Sequence, residues 1–114
     1  MTQKDKELLL QDLCARLPFK VKISVNDKIE PLQGINILDN IVEYGSFLSS
    51  NIEEIKPCLF PLSIISNRTL EAFNQFVDTK TSHVIMEFFN SCHIDYRGLI
   101  EKGLAIDATG LNIY

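Results

Sequence analysis

The stretch KVKISVN, Lys20 to Asn26, alternates without a fault. Val21, Ile23 and Val25 fall on one side of an extended chain, and Lys20, Lys22 and Ser24 on the other. That two-residue period marks a half-buried strand. Asn26-Asp27 follows with turn chemistry, because short Asx side chains tolerate the left-handed backbone. Lys28–Gln33 then pairs back as a hairpin. Pro31 sets this second strand at an edge or gives it a bulge, since proline has no N–H for the ladder. Gly34 permits a bend, Ile35 and Ile37 alternate into a third strand, Asp39-Asn40 turns the chain, and Ile41–Tyr44 supplies a fourth. The centre of the fold is therefore an antiparallel meander of three or four strands.

Working outward, the N-terminal segment has helical spacing. Leu9, Leu10, Leu13, Cys14 and Leu17 form the apolar face, while Lys6, Glu7, Gln11, Asp12 and Arg16 are read as its solvated side. Thr2 and Asp5 suit a capping box, and Pro18 ends the helix by pushing Leu17 out of the helical region. Gly45 closes the sheet region, and Asn51 caps a short helix with Glu53 and Glu54 in its first turn. KPCLFPLS, with Pro57 and Pro61, is expected to be irregular although strongly apolar. Two amphipathic helices follow. One is capped by Ser66 and carries Leu70, Phe73, Phe76 and Val77; the other is capped by Thr81 or Ser82 and carries Ile85, Phe88, Phe89 and Cys92. A short helical turn over 96–102 stops at Gly103. The tail at Leu104 and Ile106 either returns as a strand or lies over the helices.

Residues 1–114 thus read as a single α+β domain: an N-terminal helix, a short antiparallel β-meander of three to four strands, then two to three helices packed on one face. The expected core is Leu10, Leu13, Leu17, Val21, Ile23, Val25, Ile37, Phe60, Leu70, Phe73, Phe88 and Leu99.

The bulk numbers narrow the function. Fifteen acidic against eleven basic residues leave a net charge of -4. A general nucleic-acid binder needs clustered cations, so nucleic acid is disfavoured as a partner. Only Lys20, Lys22 and Lys28, with Arg97, offer a local basic patch. Cys14, Cys58 and Cys92 are three and far apart, without the C-x-x-C spacing of a zinc knuckle or redox motif. Each lies in an apolar run, and they read as buried, reduced thiols of a cytoplasmic protein. The apolar run at Leu8–Leu10 is too short for a signal peptide, and no stretch is long enough to span a bilayer.

One segment concentrates catalytic residue types: SCHIDYR, Ser91 to Arg97. Cys92 follows Phe89 and Phe88 at helical spacing and is read as core. His93, adjacent on the helix, does not face it; its place is at the helix C-terminus, complementing the dipole. Asp95 is placed as the cap of the next turn, and Arg97 pairs with Asp95, with Glu101 or with a partner protein. His83 and Glu87, one turn apart, are too few for a metal site, and no cofactor motif is present.

The blocks KELLLQDLCARLPFKVKISV, IEEIKPCLFPLS and HIDYRGLIEKGLAID are similar to those of a family of small proteins from Bacteroides-type gut bacteria and their phages and mobile elements. The resemblance runs from Lys6 to Asp107 in order, with 26–50 matching only in pattern. It implies a cytoplasmic protein of phage or mobile-element context and carries no activity, cofactor or catalytic residue.

The leading expectation is a non-enzymatic module that binds another protein, with homodimerisation open to it. The candidate interaction surface comprises Phe60, Lys20, Lys22, Lys28, Tyr96 and Arg97. The alternatives are a nucleic-acid accessory protein using the basic patch, and a small enzyme using Cys92, His93 and Asp95.

Overall fold

A computed structural model describes residues 1–64 and 82–114. Helix α1 spans Gln3–Arg16. Its capping box forms as the sequence predicts: the Asp5 N–H donates to Thr2 Oγ1 at 3.1 Å, and the Thr2 N–H donates back to the Asp5 carboxylate at 3.2 Å. Those hydrogen bonds hold the Asp5 carboxyl below its ordinary pKa. Pro18 does not push Leu17 out of the helical region, where it keeps φ -52° and ψ -45°; the chain instead tightens into a 3-10 turn, Leu17–Phe19, and stops at Lys20 with φ 58°.

The face of α1 differs from the expectation. Asp12 and Arg16 are fully buried beside Leu9 and Leu13. Three residues of helix turn the wheel by about 300°, so Asp12 stands next to Leu9 and Arg16 next to Leu13. Their spacing belongs to the buried stripe; their charge had suggested solvent.

Strands β1, Lys22–Val25, and β2, Lys28–Asn36, form the expected hairpin. Asn26 and Asp27 both have positive φ, 49° and 63°, as a two-residue hairpin turn requires. The expected strand at Ile35–Ile37 does not exist separately. The β2 strand runs on through Gly34, and the register shifts between Leu32 and Gly34. A β-bulge, rather than a bend, explains the glycine. Ile37 leaves the core list as a consequence, lying in the turn beyond β2 at 61% exposure. Pro31 is tolerated because its backbone faces the end of the neighbouring strand, where its carbonyl accepts from the Gly45 N–H at 3.0 Å.

Strands β3, Ile41–Tyr44, and β4, Leu48–Asn51, complete the meander. Asn51 caps a 3-10 turn, Ile52–Glu54, accepting the Glu53 N–H at 3.1 Å. KPCLFPLS is not irregular: most of it lies in strand β5, Ile55–Pro61. Its prolines sit where ladders stop. Pairing with β1 ends at Pro57, opposite Ile23, and pairing with β6 ends at Pro61. A residue without an N–H is tolerated at such boundaries.

Helix α2, Ser82–Ser91, precedes two short strands, β6 (Ile94–Asp95) and β7 (Ile106–Asp107), both parallel to β5. The tail therefore returns as a strand. The expected helical turn over 96–102 is instead a set of tight turns, ended as foreseen by Gly103 at φ 73°. The expected helix over Ser66 to Val77, with Leu70 and Phe73, lies outside the described residues. Among the described residues the sheet has seven strands, ordered β4-β3-β2-β1-β5-β6 with β7 also on β5. The α+β class holds, with one helix after the meander in the described residues.

The core lies between α1 and one face of the sheet. Leu9 and Leu13 meet Val21, Ile23, Val25, Leu32, Val42, Ile52, Ile55 and Leu59, and Leu99 and Leu104 close the end. Burial of each such aliphatic side chain stabilises by about 1.5–3 kcal/mol. Leu10 and Leu17 pack against this core half-buried. Phe60 is half-buried on β5, and Phe88, expected in the core, is 37% exposed.

Candidate functional site

Cys92, His93 and Asp95 face three different environments. Cys92 is half-buried, its Sγ 3.9 Å from Ser91 Oγ. His93 has φ 60°, the left-handed residue that ends α2, and its N–H donates to the Asn90 carbonyl at 3.2 Å. Its ring stacks on Tyr114 with centroids 3.8 Å apart. Asp95 is buried, and its two carboxylate oxygens accept the N–H groups of Leu99 and Ile100, both at 2.9 Å. It is the expected cap of the following turn. No hydrogen bond or ring contact joins the three side chains to one another among the described residues.

His93 does not serve as a cation for the helix end. Burial first, then the positive charges of Arg16 and Lys22, lower its pKa to about 4. The imidazole is neutral at pH 7. Its Nδ1 is buried and has no hydrogen-bond partner among the described residues.

The Tyr114 beneath it closes the second face of the β1–β5 pair. Its hydroxyl donates to the Cys58 carbonyl at 2.7 Å and accepts the Lys22 N–H at 2.8 Å. Burial raises its pKa. The Lys22 ammonium donates to the Ile113 carbonyl and lies 5.9 Å from the Tyr114 ring centroid. Phe60 packs against the same ring at 5.8 Å. Beneath this cover the Cys58 thiol is buried and pushed up to about 11 by desolvation. A thiol so far above neutrality is a poor nucleophile.

Arg97 pairs with neither Asp95 nor Glu101. Its Nε donates to Asp12 Oδ1 at 3.1 Å, a guanidinium N–H donates to Tyr96 Oη at 2.9 Å, and its side chain is only 15% exposed. Arg16 donates to the other Asp12 oxygen at 2.8 Å and to the Ile94 carbonyl at 2.6 Å. One carboxylate thus bridges two arginines and ties α1 to the segment after α2. Such buried pairs fix geometry more than they add stability. Tyr96 is half-buried, with Arg97 4.8 Å and Arg16 5.4 Å from its ring centroid.

The lysines of the basic patch do not converge. Lys22 lies opposite Pro31 and Lys28 opposite Val25, so the register puts them on opposite faces of the hairpin. Lys20 is exposed in the turn before β1. Glu87 is exposed, and the His83 side chain lies outside the described residues. Among the described residues no three His, Cys, Asp or Glu gather as a metal set.

The surface most open to a partner lies elsewhere. Among the described residues strand β4 forms the free edge of the sheet, paired only with β3. Beside it Gln33, Glu43, Tyr44, Ser46, Phe47 and Leu48 line an open groove of about 550 Å3. Phe47 is fully exposed and Leu48 51% exposed at one end of the meander; Ile37 and Leu38 are 61% and 94% exposed at the other. Phe47 also has φ 67°, a conformation that costs an L-residue about 1–2 kcal/mol. Tyr44 anchors the edge from inside, its hydroxyl 2.8 Å from Ser50 Oγ.

No protein-family model, curated protein or solved structure matches the chain.

Sequence reasoning passed over this edge. LSSN carries no β-branched or aromatic residue, and its pairing comes from β3. The available signal was Phe47-Leu48, two large apolar residues directly after the Gly45-Ser46 turn.

Proposed function

We propose that the protein is a non-catalytic cytoplasmic interaction module that binds protein by strand addition at the β4 edge. The observation that carries this reading is that the edge is open, uncharged and flanked at both ends by exposed apolar side chains. An edge strand offers unpaired N–H and C=O groups to any extended chain. Proteins that keep such an edge free usually guard it with a lysine, a proline or a bulge. Leu48, Ser49, Ser50 and Asn51 supply none of these; the shortness of the strand is the remaining restraint. The three unlinked thiols favour a reducing compartment. The dispersal of Cys92, His93 and Asp95 favours binding over catalysis, and the resemblance to phage and mobile-element proteins favours an accessory role.

The test is capture by the tagged chain from nuclease-treated lysate of a Bacteroides-type host, read by mass spectrometry. Wild type should retain a stoichiometric protein that Ser49→Lys loses and that a change remote from the edge, Lys102→Glu, keeps. A partner retained equally by all three chains would refute the edge as the docking element.

A further inference from the structure

We infer that the occupant of the β4 edge in the purified protein is a second copy of this chain, joined antiparallel so that two sheets become one. The inference rests on the edge reading above and names its partner.

The backbone fixes which groups are available. The Ile52 N–H donates inward to the Asn40 carbonyl at 2.8 Å. In an extended chain, successive residues direct their backbone groups to opposite sides. Ser50 and Leu48 therefore share the inward direction of Ile52, Ser49 offers its N–H and C=O groups outward, and Asn51 offers its N–H, its carbonyl being the acceptor that opens the Ile52–Glu54 turn. A twofold axis through Ser50 sets Ser49 of each copy opposite Asn51 of the other, and in each pair the Asn51 N–H can donate to the Ser49 carbonyl across the seam.

The same axis matches the apolar ends. Phe47 and Leu48 lie at the end of β4 where it leaves the turn from β3, whereas Ile37 and Leu38 lie beyond the opposite end of β3. Antiparallel pairing brings the Phe47 end of each copy toward the Ile37–Leu38 end of its partner, covering both. Parallel pairing leaves unlike ends apart. The four side chains expose on the order of 600 Å2 per copy, an upper bound on what they can bury and below the ~800 Å2 per partner of an ordinary stable interface, which suits a weak dimer.

Charge permits the contact. Residues 45–51 contain no ionisable side chain, so the paired strands of two chains of net charge -4 are themselves neutral; the one acidic group in the 37–40 turn, Asp39, accepts the Asn36 side-chain amide at 3.0 Å. Glu53, which the partner's Phe47 would approach, is already paired with Lys6 at 2.6 Å. The short strand makes the dimer weak and dependent on concentration.

The experiment is sedimentation velocity of the purified full chain across the micromolar range, with two variants. Ser49→Pro removes an outward N–H and leaves the ladder with β3 intact; Leu38→Ser with Phe47→Ser removes exposed apolar surface only. Wild type should shift from monomer to dimer with concentration, and both variants should remain monomeric with an unchanged circular dichroism spectrum. Benzoylphenylalanine in place of Phe47 should cross-link to the 37–40 segment of a second copy. A wild type that stays monomeric, or a dimer that survives both variants, overturns the inference. If wild type is monomeric yet captures a lysate protein that Ser49→Lys loses, the second copy fails and the edge reading stands.

Discussion

The two ends of the sheet treat polar and apolar groups in opposite ways. At the β5–β6 end, charged groups are sealed inside: Asp12, Arg16 and Asp95 are almost wholly buried, and Asp12 holds two arginines at once. At the β4 end, large apolar side chains stand in water and one aromatic is held at positive φ. The first region contains residue types associated with catalysis and spends their hydrogen bonds on tying α1, β5 and the tail together. The second holds Glu43, Tyr44 and Ser46 along its groove but no cysteine, histidine or arginine, and among the described residues its edge strand pairs only with β3. The chemically rich side chains are thus mostly engaged within the fold, whereas the β4 edge presents its backbone and apolar side chains outward.

The sharpest way to break this contrast is to remove the carboxylate that closes the buried end. Asp12→Ala strands Arg16 and Arg97 without a counter-charge, and the expected loss is about 3–5 kcal/mol. Urea unfolding measures it. A loss below about 1 kcal/mol, the range of exposed pairs, would show that the cluster is solvated and that the two ends differ less than described.

A smaller effect tests the neutral imidazole. His93 has a folded-state pKa near 4, against about 6.5 in an unfolded chain. The unfolded chain therefore binds the proton first as pH falls. The stabilising contribution is complete above pH ~6.5 and is lost progressively toward pH ~4. With solvent screening at this half-buried site the loss amounts to roughly 1–2 kcal/mol. His93→Asn, which tolerates the left-handed backbone, should flatten the urea midpoint between pH 7 and 5. An equally steep fall in that variant would assign the dependence to other groups.

The smallest effect has the opposite sign. Phe47→Gly relieves the positive φ but adds freedom to the unfolded chain, for a net gain of about 0.5–1 kcal/mol. It should raise the melting temperature slightly while weakening association. A variant that is both less stable and equally associated would remove Phe47 from the account.

Legibility in the sequence followed the same division. Local signals were readable: the capping box at Thr2, the hairpin turn at Asn26-Asp27, the cap at Asp95 and the stop at Gly103 each depend on a few adjacent residues. Signals that depend on pairing were not. Pro57 and Pro61 looked like breaks because their neutrality at the ends of ladders is visible only with β1 and β6 in place. Gly34 looked like a corner because a bulge requires the partner strand. Asp12 and Arg16 had the spacing of the core, and their charge concealed it until Arg97 arrived from 85 residues away. Of the residues nominated as a surface, Lys20 and Lys28 are exposed, while Phe60, Lys22, Tyr96 and Arg97 are drawn into contacts within the chain. The β4 edge escaped notice because LSSN is a strand by virtue of its neighbour.

Amide hydrogen exchange at single-residue resolution distinguishes an edge held open for a protein partner from one that is merely exposed. At low concentration, Ser49 and Asn51 should exchange rapidly while Leu48 and Ser50, turned toward β3, are protected. As the protein is concentrated, Ser49 and Asn51 should become protected and Leu48 and Ser50 should change little. Rapid exchange at Ser49 and Asn51 at every concentration and in the presence of lysate protein would show an edge that is merely exposed.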